Sequence, residues 1–254
     1  EVQAFDNQMR LVWNKEMNDL DRRGVQILAV IGGKNDFSIV HRVRRRGYTI
    51  LRVHKYDPSA TLIDSMTIKD YGERVFSSPV LNVLHSEDRN CFVVYNTAER
   101  SKLEVVCFRL DKMQVLWDKT VETEEGFYES KVEAMTLSNA GDFFLISESN
   151  NRRAKMERHE YNILQIGVAA DRIIRVPLRD FLTADVDFEY DNRNRCLVGA
   201  GLFGERNRER ANGTFYFRTV PGDTAQILRF EPFDDKFMSI LRRKNVEDDT
   251  KGLE

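Results

Sequence analysis

The chain is poor in the residues that most often announce a chemistry. Its three cysteines, Cys91, Cys107 and Cys196, are an odd number without C-x-x-C spacing. That excludes a disulfide framework and a thiolate zinc site. Its four histidines, His41, His54, His85 and His159, show no H-x-H or H-E-x-x-H spacing, so they read as strand or surface residues and no metal is expected. No apolar run approaches the roughly 20 residues that cross a bilayer as a helix. Net charge is nearly absent as well: 39 Lys+Arg against 41 Asp+Glu leaves −2, and no global field draws in nucleic acid or anionic lipid. Nucleophile elbow, Walker loop and dinucleotide fingerprint are all missing, and no cofactor is expected. The sequence begins at Glu1 with neither an initiator Met nor the n- and h-regions of a signal peptide, as expected of a processed or partial chain.

What is present is a fold. At 254 residues, with 41% hydrophobic and 10% aromatic content, the chain can bury a substantial core. One phrase recurs in it. "FDNQMRLVW" (Phe5 to Trp13) returns as "YDPSATLID" (Tyr56 to Asp64) and "LDKMQVLW" (Leu110 to Trp117). Each copy reads as a strand end, an Asp-led turn and the start of the next strand. Asp6 to Asp57 is 57 − 6 = 51 residues and Asp57 to Asp111 is 111 − 57 = 54, a period in the range of propeller blades.

Each period holds four β-branched or aromatic runs separated by Gly, Asn, Asp and Pro turns. The first comprises "VQILAVI", "DFSIVHRV", "YTILRVHKY" and "TLIDSMTI"; the second, "VLNVLH", "CFVVYN", "KLEVVCFRL" and "QVLWDKTV". The third is "KVEAMTLS", "DFFLIS", "YNILQIG" and "RIIRVPL", with a hairpin turn at "SNAGD"; the fourth is "ADVDFEY", "RCLVGAGLF", "GTFYFRTV" and "AQILRFEPF". The N-terminal piece supplies only the last two strands of a blade. The predicted fold is therefore all-β: a β-propeller-like array of four complete four-stranded antiparallel blades and a partial one, over residues 1–232. Residues 233–254 are expected to add a short C-terminal helix and a polar tail, since Phe237, Ile240 and Leu241 fall at i, i+3 and i+4. A second short helix is predicted at "DYGERVF" (Asp70 to Phe76). An open array leaves sheet edges and an uncovered blade face, so the chain is expected to be a fragment of a longer one or to pack as an open arc against a partner.

The last blade, "RCLVGAGLFGERNRERANGTFYFRTV", runs from an apolar strand through an Arg- and Asn-rich loop into Gly and an aromatic strand. Gly201 to Phe203, Gly213 to Phe217 and the Asp-turn phrases resemble a pattern in uncharacterised β-propeller-like envelope proteins of Bacteroidota. The resemblance covers nearly the whole chain in strand rhythm and few specific letters. It implies an exported protein of the cell envelope, periplasmic or associated with the outer membrane, and assigns no functional residue; a cytoplasmic setting is the alternative.

Candidate sites follow from the charged loops. "RVRRRG" puts Arg42, Arg44, Arg45 and Arg46 at a strand end and turn, and Arg152 and Arg153 and then Arg208 and Arg210 recur in loops between second and third strands of later blades. Three such loops would form a partner-binding rim; taken singly, each is a solvated hairpin tip. Without stacking aromatics or a helix to enter a groove, none reads as a nucleic-acid contact. Asp185, Asp187 and Glu189 alternate along one strand and so share a face. They are a solvated face or channel lining, or else the acids of a central pocket.

Cys91 and Cys107 flank a hairpin centred near Glu99 and would then face each other, either as buried small hydrophobes or as a cross-strand disulfide. "IGGKND" (Ile31 to Asp36) and "NGT" (Asn212 to Thr214) read as turns, and "WD" at Trp117 lacks the WD40 period. The functional expectation is a non-catalytic scaffold or interaction subunit that binds a protein partner within a larger envelope assembly. The alternative is a carbohydrate-binding or glycoside-processing propeller enzyme using Asp185 and Asp187.

Overall fold

The structure, a computed structural model, describes residues 1–20, 24–45, 47–73, 79–99, 102–122, 131–150, 159–178, 181–205, 211–219 and 226–240. Its described strands follow the sequence plan blade by blade. A hairpin, β1 (Val2–Phe5) and β2 (Leu11–Lys15), precedes a first sheet of β3 (Val25–Gly32), β4 (Phe37–Arg45), β5 (Tyr48–Tyr56) and β6 (Leu62–Glu73). A second sheet holds β7 (Leu81–His85), β8 (Cys91–Glu99), β9 (Lys102–Arg109) and β10 (Gln114–Glu122). A third holds β11 (Lys131–Leu137), β12 (Phe143–Asn150), β13 (His159–Ile166) and β14 (Arg172–Pro177). The fourth is β15 (Phe181–Asp191), β16 (Cys196–Glu205), β17 (Gly213–Thr219) and β18 (Gln226–Pro232). Strands pair in chain order within each sheet, four times as four strands and once, at β1–β2, as two. The fold is a β-propeller-like series of up-and-down antiparallel blades.

In its first two copies the recurring phrase is one turn built twice. Asp6 Oδ1 accepts the backbone N–H groups of Gln8 (2.8 Å) and Arg10 (2.9 Å), and Met9 closes the turn at φ 59°. Asp57 Oδ1 does the same for Ser59 and Thr61 (both 2.8 Å), with Ala60 at φ 58°. The carboxylate replaces the bonds a regular ladder would give, and the fourth residue takes the left-handed conformation that reverses the chain. Ser138 makes the same turn with a hydroxyl and Ser86 a turn one residue longer: Ser86 Oγ accepts from Cys91 N (3.0 Å) and Ser138 Oγ from Asp142 N (2.9 Å). Their left-handed residues are Arg89 at φ 58° and Gly141 at φ 96°.

The chain forms two compact units. The first contains residues 1–123, 137–142 and 167–169. Its core joins Ile31, Val40, Leu51 and Val53 of the first sheet to Phe92, Val94, Val106 and Phe108 of the second. These side chains alternate along their strands, so one face of each sheet is spent on the other. The second unit has an aromatic core of its own around Phe144, Tyr161, Phe188, Phe203, Phe215 and Phe217. Gly199 and Gly213 are required in it: a Cβ would lie 2.5 Å from the Phe188 ring at the first and 2.2 Å from the Glu231 carbonyl at the second.

Two expectations change. "DYGERVF" is no helix over its described part, because β6 runs through to Glu73; Gly72 N donates to Asp70 Oδ1 (2.8 Å) within the strand. The β8–β9 register pairs Val93, not Cys91, with Cys107, and Cys91 with Arg109. The two thiols are diagonal rather than opposite, and both are free and buried, as small hydrophobes are. The C-terminal helix, α1, spans 235–240; Asp234 Oδ1 caps it by accepting Phe237 N (2.7 Å), and Phe233 packs on Phe237. Leu241, the last apolar position of the predicted helix, and all that follows it lie outside the described residues. No helix among the described residues is long and apolar enough to cross a membrane.

Candidate functional site

The predicted Arg rim divides. Arg42 is half-buried and donates from Nη1 to the Pro79 carbonyl (2.6 Å), which ties β4 to the entry of the second sheet. Arg44 and Arg45 are exposed at the end of β4. Arg46, Arg152, Arg153, Arg208 and Arg210 lie outside the described residues.

Asp185 and Asp187 are exposed on β15, as is Glu189. A β-bulge between Ala184 and Asp187 interrupts the strand, and Asp185 stands in it at φ 48°. Asp187 and Glu189 keep the regular alternation opposite Ala200 and Val198, while Asp185 has no partner in the register. The three acids therefore do not form the even row that alternation alone predicts. No group of three or more His, Cys, Asp or Glu side chains suited to a metal occurs among the described residues.

His41 and His54 are buried on one face of the first sheet, with ring centroids 4.7 Å apart and edge to face. His54 Nδ1 lies 3.2 Å from the Tyr56 hydroxyl. Burial, then the charge and hydrogen bond of Asp19, hold that phenol well above its ordinary pKa. No spacing in the sequence announces this cluster, because strand pairing, not chain proximity, assembles it.

A shaped surface among the described residues lies where the N-terminal hairpin meets the first sheet. Trp13 lies 6.5 Å from Phe37 between ring centroids, and Phe37 stacks on Tyr56 at 5.2 Å. Trp13 Nε1 donates to the Pro58 carbonyl (3.0 Å) and Lys15 Nζ to the Ala60 carbonyl (2.9 Å). The same two-residue clasp recurs one hundred and four residues on (117 − 13 = 104; 119 − 15 = 104). There Trp117 Nε1 donates to Gly141 O (2.9 Å) and Lys119 Nζ to Gly167 O (2.6 Å). The first Trp-x-Lys pair holds two carbonyls of one turn, and the second holds one carbonyl from each of two turns.

Beside the N-terminal clasp opens a cleft of about 310 Å³, whose walls include Val2, Gln3 and Ala4 of β1, Trp13, Val30 and Phe37. That volume is at the lower end for sites that enclose a ligand, which run from about 300 to 1,000 Å³. Its walls are mainly apolar and aromatic, with Lys34, Asn35 and Asp36 from the β3–β4 turn on one side. Val30 of the cleft is itself 55% exposed, and Ile27 (47%) on β3 and Leu11 (55%) and Val12 (61%) on β2 are further exposed apolar side chains on the bordering strands.

No protein-family model matches the chain, and no curated protein matches it in sequence. Solved structures do. An uncharacterised protein of Listeria monocytogenes is similar at 11% identity and TM-score 0.43, over 84% of this chain and 56% of that one. A prolyl endopeptidase gives 12% identity and TM-score 0.43 over 81% and 29%. Prolyl oligopeptidase B from Galerina marginata gives 11% and 0.43 over 89% and 29%. The chain thus spans little more than half of the first of these structures and under a third of the other two, and identities this low transfer no residue role.

Proposed function

We propose that the chain is a non-catalytic, propeller-type scaffold that binds a protein partner, working in a bacterial cell envelope. The observation that carries the reading is the apolar surface around the N-terminal hairpin, where Leu11, Val12, Ile27 and Val30 are each about half exposed or more. Large apolar side chains left exposed on the strands that border one cleft are the surface an interaction site uses. The Arg42 to Arg45 strand end is less suited to the role, because Arg42 is already engaged with Pro79. The envelope setting rests on the Bacteroidota resemblance of the Asp-turn and Gly-aromatic phrases.

The test is isolation from the native source under mild detergent, followed by the mass of the intact assembly. A stoichiometric complex heavier than the 29.7 kDa chain is expected. A chain that travels alone, monomeric and stable, refutes the reading.

A further inference from the structure

We infer that the cleft beside Trp13 binds a small aromatic acid, one ring with a short apolar chain that carries a single carboxylate. The inference goes beyond the protein-binding reading and does not depend on it.

Size and shape argue for the apolar body. A cavity of about 150 Å³ holds benzene, so a cleft of about 310 Å³ has room for a ring and a short chain attached to it. Its aromatic walls are in place before any ligand arrives. Trp13 Nε1 donates to the carbonyl of Pro58 at 3.0 Å, and Pro58 itself lines the cleft. That bond occupies the one polar atom of the indole and leaves the ring for apolar contact. Phe37 is backed by Tyr56, stacked at 5.2 Å between centroids and itself fully buried. Both wall rings are half-buried. A ligand ring set offset or edge-on to them gains aromatic contact beyond its burial, and walls already fixed cost little to order.

The charge of the ligand follows from the β3–β4 turn at the cleft mouth. Gly33 N donates to Asp36 O at 2.8 Å, which puts Lys34 and Asn35 at the tip. Asp36 is the one acid among the described lining residues, and its charge is already met: Oδ2 pairs with Lys55 Nζ at 3.0 Å. Its Oδ1 lies over Gly33, 2.3 Å from where a Cβ would stand, so glycine is what admits the carboxyl there. Lys34 and Asn35 are exposed, and neither side chain is bonded among the described residues. Arg89 brings Nη1 to the same turn, 3.8 Å from the Cβ position of Gly32. Glu1 is turned to Asn14, on the hairpin face opposite Trp13. The mouth therefore offers an unmatched ammonium, an amide donor and a nearby guanidinium, which suit a carboxylate. The interior offers Trp13, Phe37 and Val30, which suit the ring.

The chain has two tryptophans, and Trp117 is 7% exposed, so the two indole N–H signals in nitrogen-15 spectra report separately on the cleft and on a buried position elsewhere. Trp13→Phe assigns them. The intact chain is titrated with 4-phenylbutanoate, 4-phenylbutan-1-ol and 4-phenylbutylamine, one apolar body carrying a negative charge, none and a positive charge. The acid should move the Trp13 signal saturably, in the millimolar range or below, and leave Trp117 unmoved. It should bind about threefold or more tightly than the alcohol, the worth of partly screened charge contacts, and the amine should bind weakest. Lys34→Glu, at an exposed turn position, should abolish the preference for acid over amine, with an unchanged Trp117 signal as the check that it folds. Equal affinities for the three compounds, an acid preference that survives Lys34→Glu, or Trp13 and Trp117 moving together would overturn the inference. So would a Trp13 signal that never moves saturably.

Discussion

The Trp-x-Lys clasp supplies a prediction whose size can be worked out because nature has run it in two environments. Trp13 and Trp117 each donate one indole N–H to a turn carbonyl, at 3.0 and 2.9 Å. Trp117 is only 7% exposed and its bond is buried, whereas Trp13 is half-buried and its bond meets water. Replacing either with Phe keeps an aromatic ring and deletes the donor. At Trp117 the Gly141 carbonyl loses its indole donor away from solvent, which costs about 1–3 kcal/mol. The smaller ring also surrenders about 50 Å² of buried apolar surface, near 1 kcal/mol at about 25 cal/mol per Å². At Trp13 water replaces the lost donor, and the cost falls to about 0.5 kcal/mol.

For a chain of this size each kcal/mol moves Tm by about 2–4 °C. Trp117→Phe should therefore lower Tm by roughly 4–16 °C and Trp13→Phe by about 1–2 °C. Thermal unfolding followed by circular dichroism at 218 nm reads both. Equal losses, or a larger loss at Trp13, would show that burial of the bond is not what sets its worth and would sink the argument.

The turns give a paired expectation. Asp57→Ala removes the acceptor of two backbone N–H groups and should cost about 1–2 kcal/mol in urea unfolding, with Asp57→Asn recovering most of it. Ala60→Gly, at φ 58°, should instead stabilise by about 0.5 kcal/mol, since glycine accepts the left-handed conformation without strain. Burial raises the Cys91 thiol to about 11 and Cys107 further still. A raised thiol favours the folded state at every pH below its ordinary value near 9 and loses that contribution as pH climbs through 11. Stability should fall between about pH 9 and 11, less steeply in Cys107→Ala, and thiol reagents at pH 8 should find no native cysteine among the two; rapid native labelling would contradict the burial. Gly213→Ala puts a Cβ 2.2 Å from the Glu231 carbonyl and 2.7 Å from Pro232 Cα, and should destabilise the second unit by about 3 kcal/mol or more, seen as an early transition in hydrogen exchange of β16 to β18.

The strand plan is legible in the sequence because each blade is written locally. β-branched runs of five to nine residues end at Asn, Asp or Gly turns, and the turn chemistry needs only a side chain and the backbone two to four residues away. Where longer range decides, sequence reading slips. Placing the β8–β9 hairpin centre near Glu99 set Cys91 against Cys107, whereas the ladder shifts between Asn96 and Glu99 and puts Val93 there. Alternation predicted one row for Asp185, Asp187 and Glu189, and a single bulge removed Asp185 from it. "DYGERVF" has the composition of a helix start, yet β5 reaches far enough along β6 to pair Tyr48 with Glu73, and tertiary pairing overrides propensity. The Trp-x-Lys clasp was half visible: the Trp spacing stands out, but Lys15 and Lys119 gain meaning only once the turn carbonyls they reach are in place.

The candidate site was least legible, and for a physical reason. A catalytic centre needs particular side chains, and those leave letters at particular spacings. An apolar docking face recognises its partner through exposed Val, Leu and Ile side chains, the same letters that build a core. What such a face leaves in the sequence is apolar residues such as Ile27 and Val30, written as if for a core and about half exposed among the described residues. Val30 is the decisive residue. As a docking position it should tolerate Lys in the isolated chain and lose the partner with it. As an ordinary surface valine it should tolerate Lys in both states, and the apolar flank of the first sheet would then have no role in binding.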